Sequence, residues 1–208
     1  MDFLSISRSQ IAFVARRLTL AMAVLVLLIP AQAQTNLIKN GSFETPIVAT
    51  GSYKLFKTGS TFTGWKVVGA AGNVIIVSGA YTQNGYSFPA ESGKQWLDLT
   101  GYNSNSATGV AQTVATTPGG RYLLTFYLGN QYNPGGIFGT SSTVKVYVNG
   151  VHVLTAKNSL GSGQKKLVWE KFATTITTSS SATKISFING DPATDNSNGL
   201  DNIMLVAR

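Results

Sequence analysis

The chain has 208 residues and a formal net charge of +8, from 16 basic and 8 acidic side chains. Hydrophobic residues make up 43% of it, enough for a packed core and too many for a disordered chain. Cysteine is absent and His152 is the single histidine, which excludes disulfides, thiol catalysis, thiolate zinc sites, iron–sulfur clusters and multi-histidine metal centres.

The first 17 residues carry Arg8, Arg16 and Arg17 against Asp2. An apolar run of 12 residues follows from Leu18 to Ile29, then Pro30 and the small-x-small triplet Ala31-Gln32-Ala33. This is the order of a secretory signal peptide, and the run is short of the ~20 residues a spanning helix needs. Residues 1–33 are therefore expected to be removed on export, leaving one domain over 34–208. Loss of three Arg and one Asp reduces the charge from +8 to about +6. No second apolar stretch or anchor is expected, so the mature protein is expected in the periplasm, at the cell surface or secreted.

Short alternating runs then recur, separated by Gly, Asn, Pro and Ser. The spacing predicts strands over 63–68, 73–78, 95–99, 109–114, 122–128, 143–148, 151–156, 167–175, 183–188 and 200–206. So many short strands predict an all-β, antiparallel β-sandwich or barrel. Asn149-Gly150 sits between two of them and suits a type I′ hairpin turn, which needs positive φ at both central residues. Val144, Val146 and Val148 alternate with Thr143, Lys145 and Tyr147, so that sheet is expected to have one wet face. The segment 176–183, ITTSSSAT, reads as a loop between strands, and no run has helical periodicity.

After residue 33 seven acids remain. Glu91 and Asp98 could form the pair that two-carboxylate glycoside hydrolysis needs, but nothing in their spacing demands it, and no enzymatic activity is expected. His152 lies in an alternating strand and reads as structural or surface. Ser and Thr form no nucleophile-elbow pattern. The one basic doublet after residue 33 is Lys165-Lys166. The other lysines are scattered, so a solvated cationic face is expected rather than nucleic-acid binding. Glu44 near the mature N-terminus and the acidic, amide-rich segment 191–202 point to a hard cation. First and last strands of a sandwich commonly lie together, which brings Glu44 and Asp201 within reach of one structural calcium.

The motifs NLIKNGSFETP, TGWKVV, GKQWLDLTG, GVAQTVATTPGGRYLLTFYLGN, VWEKFATTIT and GLDNIMLV follow one another in this order. The series resembles the exported domain-of-unknown-function family 642, and within it the bacterial choice-of-anchor C proteins, over residues 36–206. The resemblance implies a galactose-binding-like sandwich, a jelly roll of two antiparallel sheets. It also implies a polysaccharide or glycan partner, since plant members are cell-wall proteins associated with polysaccharide. Carbohydrate-binding modules of similar fold carry a structural calcium on a Glu after an N-G-x-F motif and an Asp in the last strand. The matching residues here are Glu44 and Asp201.

Two departures from that family bear on function. No sorting or anchor segment of the usual kind is expected. Trp96 also stands where relatives usually have a small residue. Trp96 and Asp98 alternate with Leu97 and Leu99, so leucines facing the core put Trp96 and Asp98 on an outer or cleft face. An exposed indole beside polar groups can stack on a pyranose. Tyr81, Tyr86 and Tyr102, in adjoining Gly/Asn-rich loops, extend that expected platform. Trp65 and Trp169 are expected in the core. The function expected is an exported, non-catalytic carbohydrate-binding module; the alternative is a structural or adhesive surface protein that contacts other proteins.

Overall fold

Apolar residues at every second position build two six-stranded antiparallel sheets whose inner faces meet. The computed structural model describes residues 34–102, 106–192 and 197–208, all within the unit Gln34–Arg208. The expected signal peptide and Asp195 lie outside the described residues. The first sheet runs β1 (Tyr53–Lys57), β4 (Asn73–Ser78), β7 (Gln95–Asp98), β14 (Asn198–Ala207), β9 (Arg121–Asn130) and β12 (Val168–Thr177) in spatial order. The second runs β11 (Val151–Asn158), β10 (Ser142–Val148), β13 (Ala182–Asn189), β8 (Thr108–Ala115), β3 (Trp65–Gly69) and β2 (Thr61–Phe62). This is the antiparallel β-sandwich that the spacing predicts, of the jelly-roll class that the family resemblance implies. A small hairpin, β5 (Thr82–Gln83) with β6 (Tyr86–Ser87), stands apart from both sheets.

All ten predicted strands are present, shifted at their ends by no more than two residues. The sequence reading missed β1, β2, β5 and β6. In β1 four of the five residues are exposed, because an edge strand here has little buried surface to impose alternation. The Asn149-Gly150 turn has φ of 49° and 84°, as a type I′ turn requires.

Between the sheets lies the main core. Trp65, Phe43, Phe126 and Phe187 fill it with Leu97, Leu99, Leu124 and Leu128, all essentially shielded from water. The Trp65 indole donates a 3.0 Å hydrogen bond to the Asn40 carbonyl, so its one polar atom is satisfied inside the core.

A second apolar layer covers the outer face of the first sheet. Ile75, Val77, Phe88, Trp96, Phe138 and Leu167 are buried there, with Tyr81, Tyr86 and Trp169 packed against them. β4 contributes to both layers: Val74 and Ile76 face inward, Ile75 and Val77 outward. That double burial explains its unbroken apolar run VIIV. Trp169 lies over Gly129 and Gly199, which are paired across β9 and β14. A Cβ on Gly199 would come within 2.8 Å of the ring, so the two glycines make the slot that the indole occupies.

Candidate functional site

The chain between β4 and β7 folds back over the outer face and is held there by both indoles of that face. Trp96 donates to the Phe88 carbonyl at 3.0 Å and Trp169 to the Pro89 carbonyl at 2.9 Å. The rings meet edge to face at 6.0 Å. Ser87 joins the loop to the segment before β12: its N–H donates to Lys165 O and its carbonyl accepts from Leu167 N.

Beside this loop a cavity of about 230 Å³ opens to solvent. Its floor is Ile75, Val77, Trp96 and Phe88, and Phe138 forms one side. Phe88 stacks on Trp96 at 6.2 Å and meets Phe138 edge to face at 5.3 Å. Three tyrosines stand at the mouth. Tyr53 lies edge to face with Tyr81 at 5.8 Å and parallel to Tyr102 at 6.2 Å. Burial, together with the neighbouring Tyr53 and Tyr102 phenols, raises the pKa of Tyr81. Its hydroxyl donates to Gln83 Oε1 at 3.3 Å.

Polar lining is sparse. Gln83, Asp98 and Ser197 supply it beside the tyrosine hydroxyls, and among the described lining residues Asp98 carries the only formal charge. Asp98 is 6% exposed. Thr100 donates to Asp98 Oδ1 from N–H at 2.8 Å and from its hydroxyl at 2.6 Å. Burial pushes the Asp98 carboxyl up to about 6, against these hydrogen bonds and those from Asn198 and Gly101. Ser197 Oγ is buried and has no hydrogen-bond partner among the described residues.

The structure brings four of the five residues of the expected sugar platform to one cavity. Trp96 and Asp98 do point away from Leu97, yet Trp96 is 1% exposed, because the returning loop covers it. It is a floor, not an open stacking surface. Tyr81 and Tyr102 line the cavity with Trp96 and Asp98; Tyr86 does not, packing edge to face on Phe138 at 5.4 Å outside it. Tyr53, Gln83 and Ser197 were missed. Tyr53 sits in YKLFK, the exposed edge strand whose composition carries little alternation, and nothing in the sequence marks Ser197.

Glu91 does not join Asp98 in the cavity, which separates the suggested carboxylate pair. Glu91 Oε2 accepts from Asn202 Nδ2 at 2.8 Å. His152 is exposed; its Nε2 lies 2.9 Å from Thr155 Oγ1 and its ring against Tyr147.

Glu44 and Asp201 approach one turn, 91–95, as expected for neighbours of the chain ends. That turn presents N–H groups to them. Asp201 Oδ2 accepts from Glu91 N at 2.9 Å and Ser92 N at 3.0 Å, and Oδ1 from Asn202 N at 2.7 Å. Glu44 Oε1 accepts from Lys94 N and Gln95 N, both at 2.8 Å. Gly93, with φ of 70°, lets the turn pass: a Cβ there would be 2.5 Å from Glu44 Oε1. A calcium shell needs convergent oxygens, and five N–H donors meet Glu44 Oε1 and both oxygens of Asp201. No group of three or more acids, His or Cys suited to a metal occurs among the described residues. The donor set does not fit the expected cation. Burial pushes the Asp201 carboxyl up to about 8, opposed by the Ser92, Asn202 and Glu91 N–H groups and assisted by the Glu91 charge.

Residues 36–205 match the model of the family described as "Protein of unknown function (DUF642)". No curated protein matches the chain. Among solved structures, it is similar to the Stig cyclase Fisc from Fischerella sp. TAU, in complex with (3Z)-3-(1-methyl-2-pyrrolidinylidene)-3H-indole. That match has 20% identity and a TM-score of 0.58, and covers 84% of this chain and 98% of the other. A structure described as "CBM4 structure and function" matches at 15% identity and a TM-score of 0.42, covering 82% and 99%. An exo-β-1,3-galactanase from Phanerochaete chrysosporium, with galactose, matches at 18% identity and 0.43, covering 74% of this chain and 29% of that one. The cyclase likeness shows a shared fold; the two weaker ones carry no argument about this chain.

Proposed function

The chain belongs to the DUF642 family over residues 36–205, and from that membership and the cavity's geometry we propose that it is an exported, non-catalytic module that binds carbohydrate in the aromatic cavity on its first sheet. One observation carries the reading. Three tyrosine rings surround a solvent-open cavity with an apolar floor and a few inward polar groups. Sugar recognition uses this combination: rings against the C–H face of a pyranose, and acids, amides and hydroxyls for its hydroxyl groups. At about 230 Å³ the cavity is below the roughly 300–1,000 Å³ of drug-sized pockets, so it suits one terminal ring rather than a buried chain.

Export rests on the pattern of residues 1–33. Placement among the choice-of-anchor C proteins rests on the motif order alone. Calcium is not part of the proposal, since turn 91–95 meets Glu44 and Asp201 with donors.

Affinity electrophoresis of the protein through a polysaccharide panel tests the reading, with Tyr102→Ala run beside it. Retardation by one polymer, lost in the variant, is the expected result. Retardation that survives the variant, or vanishes with added salt, removes the cavity from the account and leaves only charge attraction. With no retardation by any polymer, the structural or adhesive alternative takes its place.

A further inference from the structure

We propose that the sugar taken by this cavity is an amino sugar with a free ammonium group, held between the tyrosine rings and Asp98. The inference rests on the carbohydrate reading above and narrows it to a ligand class.

Three features of the lining lead there. First, the formal charge is one-sided. Asp98 is acidic, and no Lys, Arg or His stands among the described residues around the cavity. This holds in a chain with twice as many basic as acidic side chains, so the cavity is a local negative site on a cationic protein. Second, the aromatic groups suit a cation. Tyr53, Tyr81 and Tyr102 turn rings toward one mouth, and ring faces attract an ammonium most where water is excluded. A neutral sugar gains stacking from the same rings but leaves the Asp98 charge without a counter-charge. Third, Ser197 lines the cavity, and its buried Oγ has no partner among the described residues. Unpaired buried hydroxyls are rare, and a ligand hydroxyl is the group that satisfies one. An alkylammonium without hydroxyls answers the first two features and not the third; a neutral sugar answers the third and not the first. An amino sugar answers all three.

The ammonium favours the ionised form of Asp98, whose carboxyl burial holds near 6 in the free protein. Binding near pH 6 therefore expels a proton from Asp98, and the preference for the amine weakens as the pH falls below that value. The other titratable groups among the described lining residues are the phenols of Tyr53, Tyr81 and Tyr102.

Calorimetric titration of the full-length protein with D-glucosamine, N-acetyl-D-glucosamine, D-glucose and choline tests the inference. At pH 7 glucosamine is expected to bind about ten-fold more tightly than either neutral sugar, the size of one favourable charge contact. At pH 6 its binding heat is expected to change with the ionisation heat of the buffer, reporting the released proton. Asp98→Asn should abolish both the preference and the buffer dependence, with a melt confirming that the variant is folded. Ser197→Ala should weaken all three sugars alike. Equal binding of the three sugars, unchanged by Asp98→Asn, overturns the ammonium inference and leaves the carbohydrate reading standing. Binding of choline with no response to any sugar overturns both, as does no response to all four ligands.

Discussion

Two carboxylates on adjacent strands of the first sheet, Asp98 on β7 and Asp201 on β14, are both buried and both raised in pKa. Their surroundings set them apart. Asp201 is closed in by turn 91–95, whose N–H groups meet it at 2.9 and 3.0 Å. Asp98 takes two bonds from Thr100 and lines an open cavity. Burial and a perturbed pKa are shared by an anchor of the fold and a candidate binding group. Access to a ligand is what distinguishes them.

The largest expected effect tests where the aromatic layer belongs. The sequence reading makes Trp96 an exposed contact whose loss costs only binding. In the structure Trp96→Ala empties the floor of the second layer and frees the loop at Phe88. A loss of about 4 kcal/mol is expected in a denaturant titration, and an unchanged midpoint would return Trp96 to the surface.

Removing Asp201 comes next. Asp201→Ala strands three part-buried N–H donors, and a loss of about 2 kcal/mol is expected, read as a melting temperature lower by roughly 4–8 °C. Truncating Asp98 opens to the cavity the space that its carboxyl fills beside the buried Thr100, so water entering there can replace the two lost bonds, and the cost should be distinctly less. Equal losses would erase the contrast between the two sites.

The pH dependence follows from both acids. Each has a folded pKa above its ordinary value, so the native state binds protons more tightly than the unfolded chain. Their charged forms oppose folding above those values, and the opposition is relieved as the pH falls. The folded pKa values of about 8 for Asp201 and about 6 for Asp98 set the window. Melting temperature is expected to rise from pH 9 toward pH 5, with Asp98→Asn losing the part of the rise below about pH 7. A melt that is flat across this range would contradict the burial of both groups.

The smallest effects are expected from Tyr102→Ala and from chelator. Tyr102 is 54% exposed, so its loss should change stability by less than about 0.5 kcal/mol while weakening sugar binding. Since N–H donors occupy the Glu44 and Asp201 carboxylates, the melting temperature should be the same in calcium and in chelator. A calcium-dependent rise would put a bound ion back at that end of the molecule.

The strands were legible because a half-buried strand repeats every two residues, and each predicted run carries that period in its own composition. The opposite faces of Trp96 and Leu97 follow from the same rule. What covers each face does not. Trp96 is buried by Phe88 and Phe138, the latter 42 positions away in the chain. Asp201 is satisfied by Glu91 N, across 110 positions. Ser197 faces the same cavity as Tyr53 only because their strands and loops meet at one end of a sheet. Alternation is a local property of the chain, so the amino-acid order by itself determined the ten alternating strands, the hairpin turn and the class of fold. Whether an outward residue meets water, a loop or a ligand depends on segments distant in sequence, and only the tertiary structure decided that the calcium ligands expected would be N–H acceptors and that the platform expected would be a cavity.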